Sequence, residues 1–357
     1  MSKRFPELSV SGSPTQMGQN IGEHFKTQIN ELSALVLDRA NKGMRNRISW
    51  EQAEGAASNS FHRVEEFFPD IMDELRGTAS ASNVSLERLM VMNSRNMLSF
   101  DSEGCTSIMV SDQASDSGSG FAGQNWDNDP AMGPLSAVIT RKGTGKASFT
   151  SWLQPGIVAY MGFNSAGIGV CMNALNGPTD PKGLPWYFLV RCILESESSE
   201  HAIKQILSVP RALTANAAMI TTSGPLNLEI TPDSVETLES ESNGMLVHTN
   251  HCVHPSLASN NKLFANRIYG QSFDRKARAQ VLLEQRAIDG KVSINDAQAL
   301  LSDHEHFPTS ICRHPNDDHE TGWQCSVISI IVEPSLRQMH VSNGNPCENP
   351  YETYQMK

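Results

Sequence analysis

The chain has 357 residues, enough for one large domain or two. Its 28 Lys and Arg stand against 39 Asp and Glu, a formal net charge of −11, which argues against a general nucleic-acid binder and against attraction to anionic membranes. A hydrophobic share of 39% with 19% charged residues excludes a disordered chain, and no run reaches the roughly 18 apolar residues of a membrane span.

The first hundred residues read as helical. Met17, Ile21, Phe25, Ile29, Leu32 and Val36 recur at three- and four-residue spacing behind Pro14. Ser49, with Glu51 and Glu54, opens a second helix, and Phe67-Phe68-Pro69 breaks it. Ile71 and Leu75 begin another, and Ser85-Leu86-Glu87-Arg88 opens one that runs through Met92. Arg95 and Asn96 follow, either as buried polar partners or as a solvated helix end. From residue 105 the pattern changes to strands, with candidates at 105–111, 119–126, 135–142, 157–163 and 166–173. The last two read as a hairpin about Asn164-Ser165. Helices are expected at 184–196 and 199–208, then strands at 216–222, 225–231, 234–240 and 244–249. Helices at 273–286 and 293–302, the second capped by Ser293 and Asp296, precede strands at 326–332 and 337–341. This order gives an α+β chain, expected to set two sheets face to face with helices outside.

Seven cysteines, an odd number without paired spacing, point to unpaired thiols in a reducing compartment. The charged start Met1-Ser2-Lys3-Arg4-Phe5-Pro6 has no apolar stretch behind it, so no secretory leader is expected. Gln355-Met356-Lys357 is unlike a peroxisomal Ser-Lys-Leu tail. The expected setting is the cytoplasm.

Reactive chemistry concentrates in Asp101-Ser102-Glu103-Gly104-Cys105-Thr106 and Gly123-Gln124-Asn125-Trp126-Asp127. Two strands joined through the Gly-rich turn Asp116-Ser117-Gly118-Ser119-Gly120 would bring Asp127 back to Cys105. A thiol acts as a strong nucleophile through its thiolate. An α-amine, with a pKa of roughly 7.7–8.0, suits a general base near neutral pH better than a lysine at about 10.4. A cysteine freed at its own amine therefore needs no separate histidine. Gly104 has no side chain to obstruct attack on its carbonyl. The plain alternatives are a small buried cysteine and an ordinary Asp127-Asn128-Asp129-Pro130 turn.

Glu-Gly-Cys-Thr followed by Gly-Gln-Asn-Trp-Asp resembles the acyl-coenzyme A:6-aminopenicillanic acid acyltransferase (isopenicillin N acyltransferase) family, peptidase C45-like enzymes of the N-terminal-nucleophile (Ntn) class. The resemblance implies a four-layer αββα sandwich and one Ntn domain over 1–357. It implies self-cleavage between Gly104 and Cys105 into a light chain, 1–104, and a heavy chain, 105–357, that stay together as a heterodimer. Cys105 would be the nucleophile and Asp127 its hydrogen-bonded support. Asn250, in Thr249-Asn250-His251, would donate to the oxyanion, with Asn173 as a second donor for which Asn176 competes. Arg313, in Ser310-Ile311-Cys312-Arg313-His314, would support the nucleophile or its carboxylate. The chain departs from bile salt hydrolases in carrying Gln124 where they have Arg, and follows the penicillin-acyltransferase branch. It departs from the fungal acyltransferase in carrying Cys312 where that enzyme has Ser, which leaves any role of that hydroxyl, acyl-donor binding included, without a carrier.

The histidine clusters His248, His251, His254 and His304, His306, His314, His319 lack the paired spacing of structural zinc sites. No metal and no cofactor is expected, and no Walker or dinucleotide-binding glycine motif stands in its required context. The functional expectation is a self-processing amide hydrolase or acyltransferase. Its substrate would be a small N-acylated amine or amino acid, attacked to form a thioester, with acyl-coenzyme A as a candidate donor. Two other classes are a binding member that stays uncut and a zinc-dependent hydrolase. A Cys–His pair built on Cys105 or Cys252 is a further alternative.

Overall fold

The computed structural model describes residues 4–41, 47–98, 104–240, 243–263, 267–319 and 321–357. Asp101, Ser102 and Glu103 of the motif above lie outside the described residues. The chain opens with strand β1 (Glu7–Ser11) and helices α1 (Pro14–His24), α2 (Lys26–Ala40), α3 (Trp50–Phe67), α4 (Pro69–Ser82), α5 (Leu86–Asn93) and α6 (Arg95–Leu98). Ser13 and Ser49 form capping boxes with Gln16 and Gln52, satisfying donors that a helix start leaves unpaired. Asn83, in the left-handed region at φ 62°, ends α4. Helices α1 and α4 cross at closest approach through two glycines. A Cβ on Gly18 would lie 1.9 Å from the Glu74 carbonyl oxygen, and one on Gly77 would lie 2.3 Å from that of Thr15.

Strands β2 (Gly104–Val110), β3 (Phe121–Asn128), β4 (Ala137–Lys142), β5 (Phe149–Leu153), β6 (Gly162–Asn164) and β7 (Gly169–Ala174) follow. After α7 (Trp186–Glu195) and α8 (Ser199–Leu207) come β8 (Ala215–Thr221), β9 (Gly224–Ile230), β10 (Val235–Leu238) and β11 (Met245–His248). Helices α9 (Asn260–Leu263), α10 (Arg267–Asp289) and α11 (Ile294–Leu301) precede β12 (Cys325–Glu333), β13 (Gln338–Asn343) and β14 (Tyr351–Gln355). Eight strands form one sheet in the order β1-β4-β5-β6-β7-β8-β9-β10, and six form another in the order β11-β2-β3-β12-β13-β14. Only the β1–β4 pair among these neighbours is parallel.

The sheets face each other through β2 and β3 against β7 and β8. Helices α10 and α11 cover the outside of the six-stranded sheet, and α7 covers the other. This is the expected four-layer αββα arrangement. Period-two alternation divides β2 and β3 between two cores. Cys105, Met109, Ala122 and Trp126 enter the inter-sheet core, while Ile108, Val110 and Phe121 enter the core under α10 and α11. Ile21, Leu32, Ala57, Leu75 and Met92 of the N-terminal helices belong to one continuous apolar cluster with that core. No helix among the described residues is long and apolar enough to cross a membrane.

The strand expected at 157–163 is corrected. Ile157 to Met161 is buried but not a strand, and only Gly162–Asn164 pairs with β7. Side chains take its backbone donors instead: Val158 N–H donates to Asn93 Oδ1 (2.9 Å) and Tyr160 N–H to Ser151 Oγ (2.9 Å). The strand neighbouring β4 is β5, and β1, β5 and β14 were not expected from the sequence pattern.

A buried ion-pair cluster ties the N-terminal helices to the large sheet. Glu74 on α4 accepts from Arg141 on β4 (2.9 Å) and from Arg191 on α7 (2.8 Å). Burial alone would raise the Glu74 pKa, but the two guanidiniums outweigh it and lower the pKa to about 2. A depressed carboxylate stabilises the fold fully above its unfolded pKa, and that contribution is lost as pH falls toward the folded value. The stability advantage over Glu74→Gln is therefore expected to be complete above pH 4.5 and to shrink toward pH 2. Urea midpoints measured across this interval check it; a constant difference would contradict it.

Candidate active site

Antiparallel pairing sets Gly104 directly opposite Asp127 and Cys105 opposite Trp126. The hairpin read from the sequence thus brings the two motifs together, with Asp127 at Gly104 rather than at the thiol. A Cβ on Gly104 would lie 2.6 Å from Asp127 Oδ2, so any other residue there would displace the carboxylate. The Cys105 side chain shares its face of the sheet with Trp126 and Ser107, while Asp127 shares the opposite face with Thr106.

The Gly104–Cys105 peptide is held on both sides of the cysteine. Cys105 N–H donates to Asn250 Oδ1 (2.8 Å), and Arg275 Nη1 donates to Cys105 O (2.5 Å) and Thr106 Oγ1 (2.8 Å). Arg275 Nη2 also donates to Asn250 Oδ1 (2.8 Å), and Asn250 Nδ2 donates to Ala174 O (3.0 Å). This network fixes the amide orientation chemically. A guanidinium and a peptide N–H can only donate, so the atom between them is the oxygen, and the atom facing a carbonyl is the nitrogen. Ser272 Oγ accepts from the Asn250 N–H (2.8 Å) and fixes the loop that carries it.

Asp127 is fully buried between two arginines. Its Oδ1 accepts from Ser326 Oγ (2.7 Å) on β12. Burial raises the Asp127 pKa, while Arg275, Arg313 and the Ser326 bond pull it down; burial dominates. Arg313 donates through Nη1 to Gln271 Oε1 (2.9 Å), and its backbone N–H to Ser326 Oγ (2.9 Å). Ser326 thereby links the Asp127 and Arg313 segments. Asp127 Oδ2, Arg275 Nε, and Arg313 Nε and Nη2 are buried without a hydrogen-bond partner among the described residues. Buried polar atoms left without partners call for an explanation, and four of them around one carboxylate make this a candidate site.

Asn173 lies on the inter-sheet side, where the Cys105 face looks. Ser107 Oγ donates to its Oδ1 (2.8 Å), and its Nδ2 is buried without a partner among the described residues. Gln124 holds the strand that carries Asn173. It donates to Met172 O (2.6 Å) and accepts from Met172 N–H (2.7 Å), bridging the two sheets. Aromatic rings back this side: Trp126 meets Trp152 and Tyr160 edge-on at 5.4 and 5.7 Å.

A family model described as "Acyl-coenzyme A:6-aminopenicillanic acid acyl-transferase" matches residues 114–348. The chain belongs to this family. A relative from Emericella nidulans, "Acyl-coenzyme A:6-aminopenicillanic-acid-acyltransferase 40 kDa form", is 27% identical over 364 residues, spanning 98% of this chain and 95% of that one. Among solved structures, a variant of the conjugated bile acid hydrolase from Clostridium perfringens is 11% identical with a TM-score of 0.48, covering 71% of this chain and 97% of that one. Penicillin V acylase from Agrobacterium tumefaciens is 14% identical with a TM-score of 0.43, covering 67% and 83%. Membership makes this chain an enzyme of amide-bond chemistry.

The site residues that the resemblance implied fall into two groups. Cys105, Asn250 and Asp127 surround one peptide, with Arg313 beside Asp127 and Asn173 on the inter-sheet side. Arg275, Ser326, Ser272 and Gln271 were missed. Arg275 had a readable signal: it begins a buried stripe with Ala279 and Leu283 at four-residue spacing, an arginine on the apolar side of a helix. No Cys–His pair forms at Cys252 among the described residues: its Sγ faces Asn176 O (3.9 Å), the neighbouring His251 ring turns to Ser272 Oγ (2.7 Å), and burial pushes the thiol up to about 12. The first histidine cluster does not converge: His248 pairs with Glu229 (2.8 Å), His251 with Ser272 Oγ (2.7 Å) and His254 with Ser256 Oγ (2.7 Å).

Proposed function

We propose that the protein is a self-processing N-terminal-cysteine enzyme that cleaves the linear amide of a small N-acylated amine or amino acid through a thioester. The carrying observation is the bracing of the Gly104–Cys105 peptide. Asn250 holds its nitrogen, Arg275 holds the carbonyl that follows, and the Asp127 carboxylate lies against Gly104. In the uncut chain Cys105 is 1% exposed, so no external amide reaches it and the chain is latent.

In maturation the Cys105 sulfur attacks the Gly104 carbonyl carbon. The C–N bond breaks, the nitrogen gains protons to become the α-amine, and a Gly104 thioester forms. Water then hydrolyses it, leaving a Gly104 carboxylate and a free thiol. The freed amine serves as base for the thiol in turnover, while Asn250 Oδ1 orients it. Asn250 Nδ2 and Asn173 Nδ2 are the oxyanion donors. Of the three charges Asp127, Arg275 and Arg313, one positive charge is in excess, an environment that suits a thiolate. The light chain, 1–104, and heavy chain, 105–357, remain a heterodimer because their side chains share one core. Water discharges the acyl-enzyme in the leading reading. The name of the Emericella relative supplies the second, in which acyl-coenzyme A loads the thiol and an amine takes the acyl group.

Removing one oxyanion donor typically costs about 2.7–4 kcal/mol. Asn250→Ala is accordingly expected to lower kcat by about 10²–10³-fold, measured per mole of chain beginning at Cys105. Stopped turnover of an N-acyl amine should also leave an acyl mass on that chain. Wild-type kcat in Asn250→Ala, or an acyl adduct absent from the heavy chain, would sink the reading.

A further inference from the structure

The loop that carries Arg313 also carries two groups the reaction does not use. Cys312 and His314 flank the arginine, and two distant segments reach them: His304, from the turn after α11, and Cys347, from the turn between β13 and β14. His314 Nε2 lies 3.6 Å from Cys312 Sγ, 3.4 Å from Cys347 Sγ and 3.1 Å from His304 Nε2. The two sulfurs are 3.5 Å apart, and all four potential ligand atoms lie within 4.8 Å of one another. One imidazole nitrogen has at most one proton, so hydrogen bonding does not account for its convergence on three groups.

A cation does. Tetrahedral zinc binds thiolate at about 2.3 Å and imidazole at about 2.0–2.1 Å, which separates its ligand atoms by about 3.8 Å (S to S), 3.5 Å (S to N) and 3.3 Å (N to N). The three distances from His314 and the sulfur–sulfur distance match these to within about 0.3 Å, while His304 lies within 4.8 Å of both sulfurs and closes on the ion when it binds. Two soft thiolates with two imidazoles are a donor set that selects zinc. The surroundings agree. Asn345 Nδ2 donates to Cys312 Sγ (3.4 Å) and to Arg313 O (2.7 Å), the kind of outer bond that orients a metal-bound thiolate. The Phe307 ring lies 5.2 Å from that of His314 and 5.9 Å from that of His304, shielding one side.

We propose that His304, Cys312, His314 and Cys347 hold one zinc ion, a structural Cys2His2 site. On binding, both thiols release their protons to solvent and both imidazoles bind neutral. The ion joins three segments far apart in sequence and clamps the loop on which Arg313 approaches Asp127. The expectation of no metal rested on the lack of local cysteine pairing among the histidines, and the fold supplies the two cysteines from elsewhere. A Cys312–Cys347 disulfide is the competing use of the sulfurs, and it leaves the two imidazoles without a purpose.

The test is metal content and affinity of full-length protein purified under reductant. About one zinc per chain is expected, and cobalt added to chelator-stripped protein should give the visible bands and thiolate charge transfer of a tetrahedral S2N2 centre. Cys347→Ser and His304→Ala alter exposed ligands outside the catalytic machinery, and each should weaken zinc binding at least about 100-fold. Zinc should raise the thermal midpoint of stripped wild type and leave that of Cys347→Ser unmoved. The proposal is overturned if reduced wild type takes up neither metal, or if both variants bind zinc as tightly as wild type.

Discussion

Cys105→Ala is expected to leave the chain uncut and to remove amide turnover by about 10⁶-fold, the scale of losing a covalent nucleophile. Both losses follow from one atom. The sulfur is the attacking group in maturation, and no α-amine forms at residue 105 without that attack. The substitution keeps the fold. It deletes one sulfur from a site between Trp126 and Ser107, at a cost of about 1 kcal/mol, typical of a single substitution. Mass and turnover therefore report chemistry rather than unfolding. Cys105→Ser separates the two roles further: a hydroxyl is a far weaker nucleophile, so slow cutting with little turnover is expected. An uncut Cys105→Ala chain that still hydrolyses an N-acyl amine would refute the mechanism.

The second large effect is expected at Arg275. Arg275→Met removes the donors to Cys105 O, Thr106 Oγ1 and Asn250 Oδ1, and it takes from buried Asp127 one of its two counter-charges. Breaking a buried pair from one side costs about 3–5 kcal/mol, because the remaining charge stays desolvated. Arg313 remains beside Asp127, so a loss near the lower end, about 3 kcal/mol, is expected. Processing should stop as well, since the carbonyl after the scissile bond loses its anchor. Adding Asp127→Asn removes the stranded charge and should restore part of the stability, an interaction of about 0.5–3 kcal/mol by double-mutant cycle. Urea midpoints of the four proteins measure it. A wild-type midpoint together with normal cutting in Arg275→Met would remove Arg275 from the site.

The β2–β3 hairpin was legible because period-two alternation and the Gly-rich turn at 116–120 both fix its register, and that register alone sets Gly104 against Asp127. The helical first hundred residues were legible from serine caps and apolar stripes. The run at 157–163 misled for a physical reason. Its composition is that of a strand, yet Asn93 and Ser151 take its backbone donors from elsewhere in the fold. β5 was missed because Phe149-Thr150-Ser151-Trp152-Leu153 is short and buried on both faces, which erases the alternation. Of the candidate site, Cys105, Asp127 and Asn250 stand in motifs. Arg275 stands in none: only its place in a buried stripe marks it, and its partners are met because the helix crosses behind β2. Cys312 and Cys347 lay unread for a similar reason: their partners are assembled by the fold, not by spacing.

Self-cleavage at Gly104–Cys105 is the claim on which the rest depends. Denaturing intact-mass measurement on freshly purified protein, with N-terminal sequencing of the larger product, tests it most directly. The account predicts two chains, the larger beginning at Cys105, and a single full-length mass for Cys105→Ala. A wild-type protein that turns over an amide while remaining one unbroken chain would contradict it.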